Sequence, residues 1–262
     1  MYTFKKLFAS AAILLCALSS TVSHADQLST LMERGVLKVA VPQDFPPFGS
    51  VGSDLQPMGY DIDMARYLAE QLDVKLELVP VTSANRIPYL QTRKVDLVIS
   101  SLGKNAEREK AIDFSEAYAP FFLGVFGAEE VSVDSAEQLS GKTVGVTRGA
   151  VEDIELSKLV DSSTTIKRFE DNNTTLSAYL SGQVELIATG NLVATEIAKR
   201  VPTRKPETKF LLKNSPCYVG VLKGEPALVA KVNELIAKAK QSGELEKLSL
   251  AWFKTSLPKE LY

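Results

Sequence analysis

Histidine is almost absent from this chain: His24 is the only one in 262 residues, and cysteine occurs twice, as Cys16 and Cys217. His24 and Cys16 both fall among the first 25 residues, which read as a removable leader. Without them no Ser-His-Asp or Cys-His arrangement, no His-based zinc site and no intrachain disulfide can form. Cys217 then reads as a small buried apolar residue, because an activated thiolate needs a base or a cationic partner. Runs of basic residues are also missing, and the 30 Lys and Arg are outnumbered by 32 Asp and Glu. Binding to duplex nucleic acid relies on clustered cations that displace counterions, so nucleic acid is excluded as an expected partner. No metal and no cofactor is expected. Asp61 and Asp63 read as a helix cap and a first-turn complement to the helix dipole, with no further ligands around them.

Long apolar runs are confined to the start. Lys5 and Lys6 precede an apolar stretch from Leu7 to Leu18, and small and polar residues follow, ending in Ser23-His24-Ala25. The stretch is shorter than the roughly 18 residues a membrane span needs, and the pattern is that of a secretory signal peptide cleaved after Ala25. Cys16 follows Leu15, where a lipid-attachment site would need a small residue, so it belongs to the apolar run. Cleavage removes two lysines and no acids, which takes the formal charge from −2 to −4. The secreted chain begins at Asp26, and its length suits one large or two medium domains.

From there, β-branched runs alternate with amphipathic segments, the pattern of α/β units with mostly parallel strands. Leu37 to Val41, Leu76 to Val81 and Leu97 to Ser100 read as strands, Asp61 to Leu72 as a helix and Asn85 to Gln91 as a short helix. In the first helix Ile62, Ala65, Leu68, Ala69 and Leu72 fall at helical spacing. After Gly141 the pattern restarts, with strands at Thr143 to Val146, Ile166 to Phe169 and Leu186 to Thr189 and helices at Glu152 to Leu159, Thr174 to Leu180 and Leu192 to Lys199. Extended runs at Tyr118 to Gly127 and Tyr218 to Leu222 flank this second series. Two lobes with two crossings are implied: residues 26–122 with 219–262 form the first lobe and 123–218 the second. Helices at Pro226 to Lys240 and Leu245 to Phe253 return to the first lobe.

Eight short segments then fall in a telling order: Asp44-Phe45-Pro46-Pro47-Phe48, Gly59-Tyr60-Asp61-Ile62-Asp63, Ile87-Pro88 with Val95-Asp96, Ser100-Ser101-Leu102, Glu107-Arg108, Ile112-Asp113-Phe114-Ser115, Gly141-Lys142 with Gly145-Val146, and Trp252-Phe253. In this order and spacing the mature chain resembles the extracellular solute-binding proteins of family 3, the polar amino-acid binders of bacterial ABC importers. The resemblance implies a two-lobed periplasmic binding protein of type II, each lobe a mostly parallel sheet flanked by helices.

It also implies a ligand site. Arg108 can grip a carboxylate with two parallel hydrogen bonds, the role the family gives this arginine; read alone it also suits a solvated arginine paired with Glu107 or Glu109. Ser101 and Gly103 lie where the family offers a hydroxyl or a backbone N–H to the same carboxylate, and Gly103 departs from the usual Ser or Thr. Phe45 takes the place of the ring that covers the ligand's apolar stem, and Phe48 reads as a loop anchor. The segment with Ser83 and Arg86 looks like that of the glutamate and aspartate binders, in which an arginine here would meet a second anionic group. In the second lobe Ala150 and Val151, after Gly149, leave only backbone donors at a helix start. After the strand ending at Thr189, where amino-acid binders place an aspartate for the α-ammonium, stands Gly190-Asn191, so Asn191 is left as a neutral acceptor.

The expected mechanism is closure of the lobes over a small amino or organic acid, followed by docking on the membrane permease of an ABC importer, with the protein periplasmic and monomeric. No catalytic residue is required. The competing readings are a binding module for a sensor or chemoreceptor and an enzyme on the same scaffold of the cyclohexadienyl dehydratase type. The enzyme would need a general acid or base in the cleft, for which Glu152 is the one candidate.

Overall fold

The computed structural model describes residues 26–261, without the side chains at 200 and 202. The expected leader, Met1 to Ala25, lies outside the described residues. The chain opens with α1 (Gln27–Arg34), capped by the Asp26 carboxylate, which accepts the Ser29 N–H at 2.8 Å. Strand β1 (Val36–Val41) leads into three short strands, β2 (Asp44–Phe45), β3 (Gly49–Val51) and β4 (Pro57–Met58), which form a small antiparallel sheet. Next come α2 (Tyr60–Gln71), β5 (Lys75–Pro80), a 3-10 turn at Ser83–Asn85 continuing into α3 (Arg86–Gln91), β6 (Leu97–Val98), α4 (Ala106–Ala111) and β7 (Ile112–Ala119). The second series is β8 (Phe122–Gly127), β9 (Thr143–Thr147), α5 (Val151–Leu159), β10 (Thr165–Phe169), α6 (Asn172–Leu180), β11 (Leu186–Gly190), α7 (Asn191–Arg200) and β12 (Glu207–Asn214). Strand β13 (Cys217–Leu222) and helices α8 (Pro226–Gln241) and α9 (Glu244–Trp252) follow.

Two five-stranded sheets result, in the orders β5-β1-β6-β13-β7 and β10-β9-β11-β8-β12. In each, the first three strands pair in parallel, and the fourth pairs antiparallel with both neighbours. Four strands of five therefore run one way, as the alternation of strands and helices requires. The reversed strand is in each case the one that arrives from the other sheet: β13 follows β12, and β8 follows β7. The chain passes between the sheets at Ala119 to Phe122 and again at Asn214 to Cys217.

The expected apolar stripe of α2 is buried, with Ile62, Ala65 and Leu68 fully enclosed. Asp61, expected as its cap, is instead the second residue of the helix, after Gly59 at the cap position. The first helical N–H groups are already taken, Tyr60 by the Pro47 carbonyl at 3.0 Å and Asp61 by that of Phe48 at 2.9 Å. The Asp61 carboxylate is therefore released from capping and turns into the core.

Several motif residues fasten elements together. Asp96 accepts the Lys38 N–H at 2.8 Å and also bonds Arg34 of α1. Ser115 Oγ accepts the Val219 N–H at 2.9 Å across β7 and β13, and Trp252 Nε1 donates to Asp63 at 2.8 Å, tying α9 to α2. A column of rings runs from the cleft into the first lobe: Phe45 meets Phe121 edge-on at 6.0 Å, Phe121 meets Phe48 at 5.0 Å, Phe48 meets Phe253 at 5.2 Å, and Phe253 stacks on Tyr60 at 4.4 Å.

Burial separates two leucines that hydrophobicity alone would treat alike. Leu68→Ala should lower the unfolding free energy by about 2–5 kcal/mol, whereas Leu55→Ala, at a site 80% exposed, should change it by less than about 0.5 kcal/mol, both read from urea unfolding.

Candidate functional site

The site residues come from the loops that follow the parallel strands at their C-terminal ends, the usual location of ligand sites in open α/β sheets. Phe45 follows β1, Ser83 and Arg86 follow β5, and Ser101 and Gly103 follow β6; Ala150, Val151 and Glu152 follow β9, and Asn172 follows β10. All of them line one small cavity of about 10 Å³ between the two sheets, together with Phe121 and Ser215 from the crossing segments and Leu123 from β8. That is room for about one water molecule.

Arg86 is 5% exposed, and its Nε donates to Ser100 Oγ at 3.0 Å. Burial pulls its pKa down, and the carboxylates of Glu152, Asp44 and Asp61 oppose that pull. Among the described residues it has no carboxylate within 4.0 Å. Ser101 holds φ +42, rare for a residue with a side chain, and its N–H donates to Asp61 Oδ2 at 2.6 Å. Strand β6 ends at Val98, short of the expected Ser100, although the Ile99 N–H still bonds the Ala40 carbonyl at 2.9 Å. Asp61 also accepts from Tyr118 Oη at 2.6 Å. Its complete burial raises its pKa to about 7, although the bonds from Tyr118 and Ser101 and the charge of Arg86 act the other way.

Arg108 is placed differently from the expectation. It does not line the cavity; its Nη1 donates to the Gly103 carbonyl at 2.8 Å and its Nη2 to that of Gly149 at 2.9 Å, so it bridges from α4 to the loop before α5. Desolvation and the neighbouring Arg86 hold its pKa down to about 10, with Glu152 opposing. Asn191 also stays out of the cavity, because its Oδ1 receives the Phe122 N–H at 3.1 Å at the first crossing. A side chain at Gly190 is barred by packing: its Cβ would come within 3.0 Å of the Phe121 ring. An aspartate at Gly190, at the end of β11 where amino-acid binders place theirs, would meet the Phe121 ring.

The second lobe contributes the start of α5. Ala150 at its cap position provides no side-chain hydrogen bond, which leaves backbone donors as expected. Glu152 is 5% exposed, and burial raises its pKa while Arg86 and Arg108 counter the rise. Asn172, at the start of α6, gives its N–H to Asp44 Oδ2 at 2.8 Å and its Nδ2 to Asp44 Oδ1 at 3.1 Å, a second bridge across the cleft.

Ser215, Phe121, Leu123 and Asn172 were not anticipated from the sequence. Ser215 is the most instructive of them. Its buried Oγ has no hydrogen-bond partner, and a Cβ at Gly103 would lie within 3.0 Å of it. The volume that a Ser or Thr side chain would need at residue 103 is occupied by the hydroxyl of residue 215. The signal lies in the pairing of the two positions, which are 112 places apart along the chain.

Two sheets joined by two crossings, with a small cavity of mixed polar and apolar lining at the strand ends, define a two-lobed solute-binding protein. The chain belongs to the bacterial extracellular solute-binding proteins of family 3, whose family model matches residues 37–255. It is 29% identical over 252 residues to the L-cystine-binding protein TcyJ of Escherichia coli K12, covering 95% of this chain and 94% of that one. It is 27% identical over 270 residues to the glutamate/aspartate import solute-binding protein of Salmonella typhimurium, covering 94% and 88%. Among solved structures, the ancestral amino acid-binding protein AncCDT-1, a precursor of cyclohexadienyl dehydratase, superposes with a TM-score of 0.79 at 30% identity, covering 87% of this chain and 100% of that one. No helix among the described residues is long and apolar enough to cross a membrane.

The exchange between Gly103 and Ser215 makes two substitutions interdependent. Gly103→Ser alone should lower the melting temperature by several degrees through overpacking, and adding Ser215→Gly should recover most of the loss; additive effects would contradict the geometry. Asp61 sets a pH dependence. Because its folded pKa of about 7 lies above the ordinary 3.8, its contribution to stability is fully present below about pH 4 and is lost as pH rises through 7. The unfolding free energy of the wild type minus that of Asp61→Asn should fall by roughly 4 kcal/mol between pH 4 and pH 8 in urea titrations.

Proposed function

We propose that this protein captures a small polar or acidic amino acid in the periplasm and delivers it to the permease of an ABC importer, working as a monomer and without turnover. The observation that carries the reading is Arg86, buried in the cavity wall with one donor spent on Ser100 and no carboxylate close enough to pair with it. A buried guanidinium in that position favours an anionic group brought by a ligand. The likeness to the glutamate/aspartate import protein supports an acidic ligand.

A cavity of about 10 Å³ cannot admit an amino acid, so entry requires the lobes to part. We place the division of the lobes at the two crossings, with residues 26–122 and 219–262 on one side and 123–218 on the other; Cys217 and Tyr218 pair with the first sheet, which moves the second boundary back to Ser215–Pro216. Opening breaks the Arg108 to Gly149 bridge and the Asp44 to Asn172 bridge, and a ligand gripped from both sides restores the shut form. A signal peptide cleaved after Ala25 accounts for the compartment.

One observation favours a second reading: Glu152 is a buried carboxyl in the cavity wall with its pKa raised, the group an enzyme of the cyclohexadienyl dehydratase type would need as a general acid. The likeness to AncCDT-1, itself an amino acid-binding protein, is compatible with either. Steady consumption of prephenate or arogenate by the purified protein would establish the enzyme.

The mature protein, unfolded and refolded to remove carried-over ligand, should gain several degrees of melting temperature with L-glutamate, L-aspartate or their amides, since ligand at 100 times its Kd adds about 2.7 kcal/mol. Arg86→Ala should abolish the gain. An undiminished shift in Arg86→Ala would remove Arg86 from the site.

A further inference from the structure

The cavity carries one charge of each sign, on opposite lobes. Arg86 stands on α3 of the first lobe and Glu152 on α5 of the second; both are 5% exposed and both line the cavity. They influence each other electrostatically yet are not within 4.0 Å, so each faces the gap without a salt-bridge partner. The other carboxylates nearby are committed. Asp61 holds Tyr118 and Ser101, Asp44 holds the N–H and amide of Asn172, and Asp153 holds Arg168 and the Gly149 N–H. The Glu152 carboxylate receives no hydrogen bond from any other described residue; it bonds only its own backbone N–H.

The place where the family's aspartate would receive an ammonium is closed by the Phe121 ring at Gly190, and the neighbouring Asn191 is spent on Phe122. We propose that Glu152 accepts the protonated amine of the ligand, and that it thereby restricts the site to zwitterions and rejects carboxylic acids that lack an amine. This rests on the amino-acid reading above and deepens it.

The chemistry is that of two charge-assisted hydrogen bonds formed together, carboxylate to Arg86 and ammonium to Glu152. An acid without an amine satisfies only the arginine. It leaves Glu152 buried and unpaired, and sets its own negative charge beside that of Glu152. Sites built around a buried polar group reject an analogue that lacks the matching partner far more strongly than apolar pockets reject a missing methylene.

The test is isothermal titration calorimetry of the refolded mature protein with L-glutamate against glutarate and L-aspartate against succinate, for the wild type, Glu152→Gln and Glu152→Asp. The wild type should prefer each amino acid over its amine-free partner by roughly 100-fold or more. Glu152→Gln should weaken the amino acid roughly 10- to 100-fold while leaving the amine-free acid unchanged or tighter, so that the preference collapses. Glu152→Asp, which keeps the charge one methylene further back, should fall between the two; it is also the deciding variant if Glu152→Gln does not fold. A preference equal in wild type and variants, or a wild type that binds both members of a pair alike, overturns the role of Glu152 while leaving a carboxylate binder in place. No binding of any of the four compounds by the wild type overturns the acidic amino-acid reading itself, and with it this inference.

Discussion

Burying the Arg86 guanidinium is the constraint around which this site is built. A cation removed from water without a contact partner costs several kcal/mol, and here the cost is offset by dispersed means: one hydrogen bond to Ser100 and the fields of Glu152, Asp44 and Asp61. Asp61 carries the heaviest share of the consequences. It is wholly enclosed, and the same carboxylate that faces Arg86 electrostatically also fixes the strained Ser101 backbone and the Tyr118 hydroxyl at the end of β7. Tyr118 in turn receives Tyr60 Oη on its carbonyl at 2.8 Å, and Tyr60 stacks on Phe253. The site is thus linked through hydrogen bonds and rings to the first-lobe core and to the strand that leads into the first crossing.

The topology converts that local arrangement into a clamp. In each sheet the reversed strand comes from the other sheet, so the two crossings lie side by side next to the cleft, and rotation there moves one set of strand ends against the other. Apart from Ser215 at the second crossing, the polar groups of the cavity come from loops that follow parallel strands, ahead of helices α3, α4, α5 and α6. The first N–H of α6 is claimed across the cleft, by Asp44.

Much of this was legible in the sequence, and what was not has physical reasons. The restart of the strand and helix alternation after Gly141 disclosed two lobes, because parallel strands buried on both faces read as β-branched runs. Strands β2 to β4 have two or three residues and carry no period, and β12, ETKFLLKN, is edge-like and charged at its ends, so neither registered. The motif residues Asp96, Ser115 and Trp252 marked the fold reliably because they bind elements to one another. Phe45, Ser83, Arg86, Ser101, Gly103, Ala150 and Val151 were brought together as expected from their loops. Arg108 and Asn191 were not, because each found a backbone partner nearby. Ser215 could not have been found by spacing: its meaning depends on the missing side chain at Gly103.

The loss of an aspartate after β11 looks at first like a loss of amino-acid recognition, but the packing gives it another meaning. Phe121 extends the ring column to the cleft and fills the space beside Gly190, and Asn191 pins the backbone of the crossing. The negative charge that remains available to the cavity from the second lobe is at the start of α5, on Glu152. Moving an acceptor from the end of one strand to the helix after another keeps it on the same lobe. Arg86 and Glu152 can then both contact one ligand only when the lobes are shut, so a molecule bearing both charges favours the closed state over the open one by the second of its two ionic contacts. Differential affinity of that kind is the sole energetic requirement for hinge closure, and it needs no aspartate at the position where relatives of this chain would place one.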